Sequence, residues 1–481
     1  VALCVAVASR GLRGAAWARA AAVASGIMCT LWLAVEAAAR GERPEGPFGN
    51  PNPAATLGVL ALALLPGLRM GRAVQLGCGA LILGGIGASQ SRGALLGVVA
   101  VAAAWALTGA SRTARRAAAV LLLAGAAGAG AWLVLEVDPV RLDRVKLWGV
   151  AARTALGEFP WGCGPGGFSD AALAHNFPRE GEFARFHRIP ALAESDVLQL
   201  VASLGLPGIA LAGCLALSVV RRVRRDGWGV VAGLAVTSTV NTQLAAPVVA
   251  WMATAAVASA LARPKGETTR TPAGAAVAGA LLVAVGTASA LSWPAAGPFA
   301  DSAALVDRAE AALAARGDDD ALADAEALSR RAAALRPRYG RAWRATGWLA
   351  LRRAEARGDP SLAAASRQAF ETARRTNPLD AWAAFGEGRA SLVLGDAGRA
   401  RAAFSAATAL EPNFVSARLE LADLALSGGD PAAARREFEG AEKALAAARP
   451  DRFVSDYEIA LARPDERLLR RLRQAIGVTR P

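Results

Sequence analysis

Apolar residues run in long, nearly uninterrupted blocks as far as about residue 293 and at helical spacing beyond it. The blocks fall near 20–38, 53–68, 72–88, 93–109, 117–135, 197–220, 228–244, 247–262 and 273–293. Each approaches the length an apolar helix needs to cross a bilayer. The stretch 228–262 is too long for one span and has basic residues at both ends, so a turn is expected near Gln243–Pro247. Residues 1–9 read as the end of another block; the chain is expected to be incomplete at its N-terminus, with no cleavable signal peptide. The pattern therefore predicts an all-α protein. A polytopic membrane helix bundle occupies 1–298, with about nine spans, the N-terminal remnant and a long loop over 136–196. A soluble helical domain follows over 299–450, then a tail over 451–481.

The second domain carries a period. Pro378 and Pro412, each after a polar or acidic residue, lie 34 residues apart, which is the tetratricopeptide spacing. Gly388, Ala400, Phe404 and Ala407 occupy the small and aromatic positions of one unit. Ala422, Ala434, Phe438 and Ala441 repeat that register, and Trp343, Gly347, Phe370 and Ala373 precede it with a short insertion near 354–360. Small residues let paired helices approach closely while the aromatics fill the gap between pairs. An α-solenoid of this kind is a docking or spacing module, and a protein partner is expected on it.

Composition and charge narrow the class. Of 481 residues, 54% are apolar and only 20% charged, which excludes a single soluble domain and a disordered chain. The net charge of +14 would admit nucleic acid as a partner, but the basic residues sit in short loops between apolar blocks. Arg10, Arg13 and Arg19; Arg69 and Arg72; Arg112, Arg115 and Arg116; Arg221, Arg222, Arg224 and Arg225; and Arg263, Lys265 and Arg270 are accompanied only by Asp226 and Glu267. That alternation is the positive-inside pattern. It predicts membrane lipid, not nucleic acid, as the surroundings, and it places the loop 136–196 and everything after 293 outside the cytoplasm. Cys4, Cys29, Cys78 and Cys214 lie within apolar blocks and Cys163 in the loop, with no Cys/His cluster to hold a metal or frame disulfides.

Several stretches on the outer side carry candidate chemistry. Gly46-Pro47-Phe48-Gly49-Asn50-Pro51-Asn52 is a turn before a span, and Ser91-Arg92-Gly93 places an arginine at the mouth of one. The loop holds Arg144-x3-Trp148, then Gly162-Cys163-Gly164-Pro165-Gly166-Gly167-Phe168, and later Asp196-Val197-Leu198-Gln199 with Gly205-Leu206-Pro207-Gly208. These motifs, in this order over roughly Glu42–Gly208, resemble the O-antigen ligase and polymerase family of bacterial membrane glycosyltransferases.

The resemblance implies transfer or polymerisation of a glycan from a polyprenyl-pyrophosphate carrier to a glycan or lipid acceptor. The reaction would take place on the outer face of the cytoplasmic membrane, with the repeats periplasmic and with neither metal nor cofactor. Guanidinium groups can clamp a diphosphate leaving group bidentately. Arg92 and Arg144 are the candidates, with Arg153, Arg179, Arg185 and Arg188 as further loop arginines. Asn52, Trp148, Gly164, Gly166 and Gln199 would complete the substrate site. Glu194 stands where the family carries a histidine base, and His175 and His187 lie earlier in the loop. The other reading is a family member without catalysis, acting as a membrane-anchored scaffold through its repeats.

Overall fold

The computed structural model describes residues 11–108, 139–242, 244, 247–261, 301–315, 318–449, 451, 453 and 455–477, and every regular element among them is helical. The expected spans at 117–135 and 273–293, the N-terminal remnant and Cys4 lie outside the described residues. The chain divides into two compact units, one of 1–164 with 192–289 and one of 165–191 with 290–481. The loop expected over 136–196 is thus split, its middle belonging to the repeat-bearing unit.

The helices up to residue 261 are α1 (Gly11–Arg40), α2 (Pro51–Leu64), α3 (Arg72–Ala88), α4 (Arg92–Thr108), α5 (Pro139–Gly157), α6 (Phe168–Leu173), α7 (Asp196–Arg222), α8 (Trp228–Val240) and α9 (Pro247–Leu261). All except α6 belong to the first unit. All of these but α5 follow the apolar blocks, and the break between α8 and α9 falls where the sequence requires a turn; α5 is a helix within the stretch expected as a loop. By length and composition, Arg19–Arg40 and Asp196–Arg222 are able to cross a membrane, while α2, α3, α4 and α8 are shorter apolar helices. A bundle of nine spans is therefore not what helix length establishes; an all-α apolar unit with two helices of spanning length is.

Helix α2 is the hub of this unit. Almost all its side chains are buried, and α1, α3, α4, α8 and α9 pack around it. Being enclosed on every side, it has no polar face to show in its sequence. Small residues set the spacing: a methyl group at Gly26 would overlap Ala61, and one at Gly85 would overlap the Thr30 backbone. The buried Thr30 hydroxyl donates back to the Gly26 carbonyl at 2.8 Å.

Helix α7 is broken at Gly205 (φ 55°), and Pro207 follows. Proline has no N–H for the Ser203 carbonyl, one turn earlier. Gly164 N–H supplies that bond at 2.9 Å, Cys163 N–H donates to Ala202, and Leu206 N–H turns to the Pro160 carbonyl at 2.8 Å. A Cβ on Gly162 would come within 2.6 Å of the Ser203 carbonyl. The two glycine-rich motifs of the sequence are therefore two halves of one interlock.

The second unit stacks four helix pairs: α10 (301–314) with α11 (Asp319–Leu335), α12 (Gly340–Arg357) with α13 (Pro360–Thr376), α14 (Ala381–Val393) with α15 (Ala397–Leu410), and α16 (Val415–Ser427) with α17 (Pro431–Ala447). Phe370, Phe404 and Phe438 are fully buried, as the register requires. Phe404 fills the space left by Gly388, and Phe370 that left by Gly347 and Gly386. Side chains of Asp359, Asp380, Asp396 and Asp430 cap the helices that follow them. Arg389 ties three successive repeats together, meeting Glu355 at 2.7 Å and Glu420 at 3.3 Å. This unit is a tetratricopeptide-like α-solenoid. Its end is not a bare tail: α18 (Asp456–Ala462) and α19 (Glu466–Ile476) pack against α16, and α19 also against α17.

Candidate functional site

A few charged residues of the first unit meet where α4 begins. Ser91, itself buried, caps α4 through the Ala94 N–H, which puts Arg92 in the first helical turn. A cation there opposes the helix dipole, so the arrangement gathers positive charge in one place. Arg43 reaches the same region, its guanidinium 3.4 Å from the Ser89 carbonyl and 3.5 Å from the Asn52 side-chain oxygen. Asn50 caps α2 by accepting from Asn52 N–H, which fixes the turn that presents Asn52.

Arg144, on α5, pairs with Glu194 at 3.7 Å, both side chains about one-third exposed at 34% and 35%. Burial pulls the Arg144 guanidinium below its ordinary pKa; the Glu194 carboxylate opposes this, while the positive charges of Arg43 and Arg92 add to it. Three guanidinium groups thus share one neighbourhood, and Arg144 among them is paired with Glu194. A partly exposed pair such as Arg144–Glu194 contributes about 0–1 kcal/mol to stability.

Backbone strain marks the same place. Gln90 (φ 52°) and Glu194 (φ 53°) are the non-glycine residues with positive φ among the described residues. Such conformations cost about 1–3 kcal/mol each and persist only where the surroundings impose them. Trp148, one turn after Arg144, donates its indole N–H to the Glu194 carbonyl at 3.2 Å. Ser195 caps α7, and Gln199 accepts from Ala193 N–H at 2.9 Å while donating to Ser203. Trp148 and Gln199 accordingly hold the backbone that carries Glu194.

Of the residues singled out from sequence, Arg92, Arg144, Glu194, Asn52 and Trp148 come together. Gly164 lies in the α7 interlock, with its N–H occupied. Gly166, Arg179, Arg185, Arg188, His175 and His187 all belong to the second unit. There the Arg185 guanidinium meets Glu180 at 2.6 Å, and the His187 ring, 2% exposed, packs against Glu182. Arg43 was not anticipated. It hides in a charge-balanced loop, flanked by Glu42 and Glu45. No group of three or more His, Cys, Asp or Glu suited to a metal occurs among the described residues.

No protein-family model matches the chain, and no curated protein does. Solved structures with a distant likeness include two helical-repeat proteins. The thermophilic TPR protein TTC0263 of Thermus thermophilus has 21% identity, covering 43% of this chain and 94% of its own, with a TM-score of 0.30. Yeast Tom70 has 12% identity, covering 88% of each chain, with a TM-score of 0.22. The solenoid assignment stands on the helix pairs, the buried phenylalanines and the 34-residue register themselves.

Proposed function

We propose that this chain is a membrane glycosyltransferase of the O-antigen ligase and polymerase type, moving a polyprenyl-pyrophosphate-linked glycan onto a glycan or lipid acceptor. One observation carries the reading: the charges of Arg43 and Arg92 act on Arg144, which is paired with Glu194, on elements that the family-like motifs occupy. A group of guanidiniums suits a diphosphate, which each fork can grip through two oxygens. In the reaction the acceptor oxygen bonds to the anomeric carbon as the bond from that carbon to the diphosphate oxygen breaks. The diphosphate leaves with the electron pair, its charge offset by the arginines. The acceptor's proton passes to the Glu194 carboxylate. The reading includes several membrane spans in the cytoplasmic membrane, with the site and the repeats on the periplasmic side.

The deciding experiment is deletion of the chain in its host, followed by analysis of lipid-linked glycans. Accumulation that the wild-type chain clears and Glu194→Gln does not is the expected result. No accumulation, with the same phenotype reproduced by removing residues 299–481 alone, would instead select the scaffold reading.

A further inference from the structure

The second unit contains a peptide that is not part of its repeats. Residues 165–191 belong to it, although residues 164 and 192 on either side belong to the first unit. The hydrogen bonds at the centre of this segment are made by its backbone. Glu411, fully buried just after α15, accepts the Arg185 N–H on one oxygen at 2.6 Å and the Phe186 N–H on the other at 2.9 Å. The Tyr457 hydroxyl of α18 donates to the same carboxylate at 3.2 Å. Asn413 donates its amide to the Phe183 carbonyl at 2.8 Å.

Between these clamps, the Ala184 side chain is fully buried in a cluster with Phe385, Phe404, Phe414 and Leu461. The Phe183 ring lies 4.9 Å from that of Phe453. Arg185 also reaches the Ala409 carbonyl at the end of α15. Farther along the segment, Asp170 is ion-paired with Arg336 of the repeats.

This is how a site built for an extended peptide works. Two consecutive N–H groups on one carboxylate, and a C=O on one amide, fix the backbone, while a small pocket reads a single side chain. Glu411 is the costly component. Vacated, it would leave a buried carboxylate with only the tyrosine hydroxyl for a partner. A general docking face for outside proteins does not leave such a charge waiting.

We propose that the ligand of this repeat array is the chain's own segment Phe183–Phe186, bound in cis as a peptide. The array holds the middle of the loop whose two ends run into the first unit. Its clamp is Glu411, Asn413 and Tyr457, and its specificity pocket is the cavity filled by Ala184. This inference stands whether or not the glycan-transfer reading does, because that reading rests on Arg43, Arg92, Arg144 and Glu194, none of which takes part in the clamp.

The test uses the full chain in detergent micelles, with residues 179–188 replaced by a glycine–serine linker of equal length. A fluorescent peptide spanning 177–190 should bind that chain saturably and not the wild type, whose site is filled. Adding Glu411→Gln should weaken binding about tenfold or more, since an amide cannot accept two N–H bonds through a charge. An Ala184→Trp peptide should not bind. Equal binding to the linker chain with and without Glu411→Gln, or no binding at all, would overturn the proposal. Hydrogen exchange in the otherwise unaltered chain provides the second measure, free of the linker's effect on folding. The amides of Arg185 and Phe186 should be protected, and Glu411→Gln should release them while α14 stays protected. Exchange of those two amides at the rate of an exposed loop in the wild type would equally refute it.

Discussion

The two units are both helical, yet they are held together by opposite means. In the first, helices such as α2 are apolar all round and approach one another through glycine and alanine, with Gly26 against Ala61 and Gly85 against Thr30. In the second, aspartates cap α13, α14, α15 and α17, and arginine–carboxylate contacts such as those of Arg389 join neighbouring repeats. Close approach leaves few polar side chains within the helices of the first unit, and Arg43, Arg92 and Arg144 meet at one end of α4. The array distributes its charges throughout, so its ion pairs are structural. The charges gathered in the apolar unit are the ones that the glycan-transfer reading uses, whereas the ion pairs of Arg389 join neighbouring repeats.

The sharpest way to break this comparison is to remove the last two helices of the array. Leu461, Leu469 and Leu472 are nearly or fully buried. At about 1.5–3 kcal/mol for each leucine returned to water, ending the chain after Ala448 should destabilise the array by about 5 kcal/mol or more. Urea titration followed by amide protection in α16 and α17 measures it. Unchanged protection would mean that the array is capped without these helices, as the expectation of a simple tail over 451–481 implied.

Next in size is the loss of transfer. Replacing Arg92 or Arg144 with alanine should lower glycan transfer about 100- to 1,000-fold, the range for removing one group that stabilises developing charge. Arg43→Ala belongs to the same set. Lysine should restore only part of the rate, because a point charge cannot reproduce the planar fork. Protein level and membrane insertion should be unaltered, as these side chains lie outside the Gly26–Ala61 and Gly85–Thr30 contacts. Wild-type rates in all three alanine variants would dissolve the contrast between clustered and distributed charge.

How much of this was legible follows from the same physics. The solenoid could be read because Gly388, Phe404 and Ala407 recur in register with Ala422, Phe438 and Ala441, and packing demands that recurrence. Arg92 and Arg144 could be read because few charges interrupt an apolar chain. Glu411 could not: it looks like any acidic residue before a proline, and its partners are brought to it only by the fold. The placement of 165–191 was equally hidden, since a peptide held by its backbone needs no periodic side chains. Arg43 was masked by its acidic neighbours, and net charge per loop is blind to where one arginine points.

A smaller effect tests how far the capping aspartates belong to the array's design. Asp396 accepts the Arg399 N–H at 2.9 Å at the start of α15. Asp396→Ala should cost about 1 kcal/mol, and Asp396→Asn a few tenths. Both are measured as shifts of the array's urea midpoint. A loss beyond about 2 kcal/mol would assign Asp396 a role other than capping.

The smallest effect is the pH response of the array, and its sign differs among the carboxylates. Burial raises the pKa of Asp170, Glu411 and Glu420, and it outweighs Arg336, the Arg185 and Phe186 N–H groups, and Arg389, which act the other way. A carboxyl group with a raised folded-state pKa holds its proton more tightly when folded. Its contribution to stability is therefore present below the ordinary carboxylate range and is lost as pH rises through the raised values. Asp359 is the reverse case: hydrogen bonds from Ser361 lower its pKa, so its contribution is present above the ordinary value and lost as pH falls through the lowered one. Mild acidification from about pH 7 to about pH 5.5 should then leave the array's stability unchanged or slightly higher, with loss only in stronger acid. Urea midpoints of the full chain across that range, followed by amide protection in α14–α16, measure it. Protonation also takes one acceptor oxygen from the peptide clamp, so the amides of Arg185 and Phe186 should lose protection before α14 does. If Glu411→Gln leaves the midpoint's pH slope as it was, Glu411 is not among the groups that set it, and Asp170 and Glu420 carry the response alone.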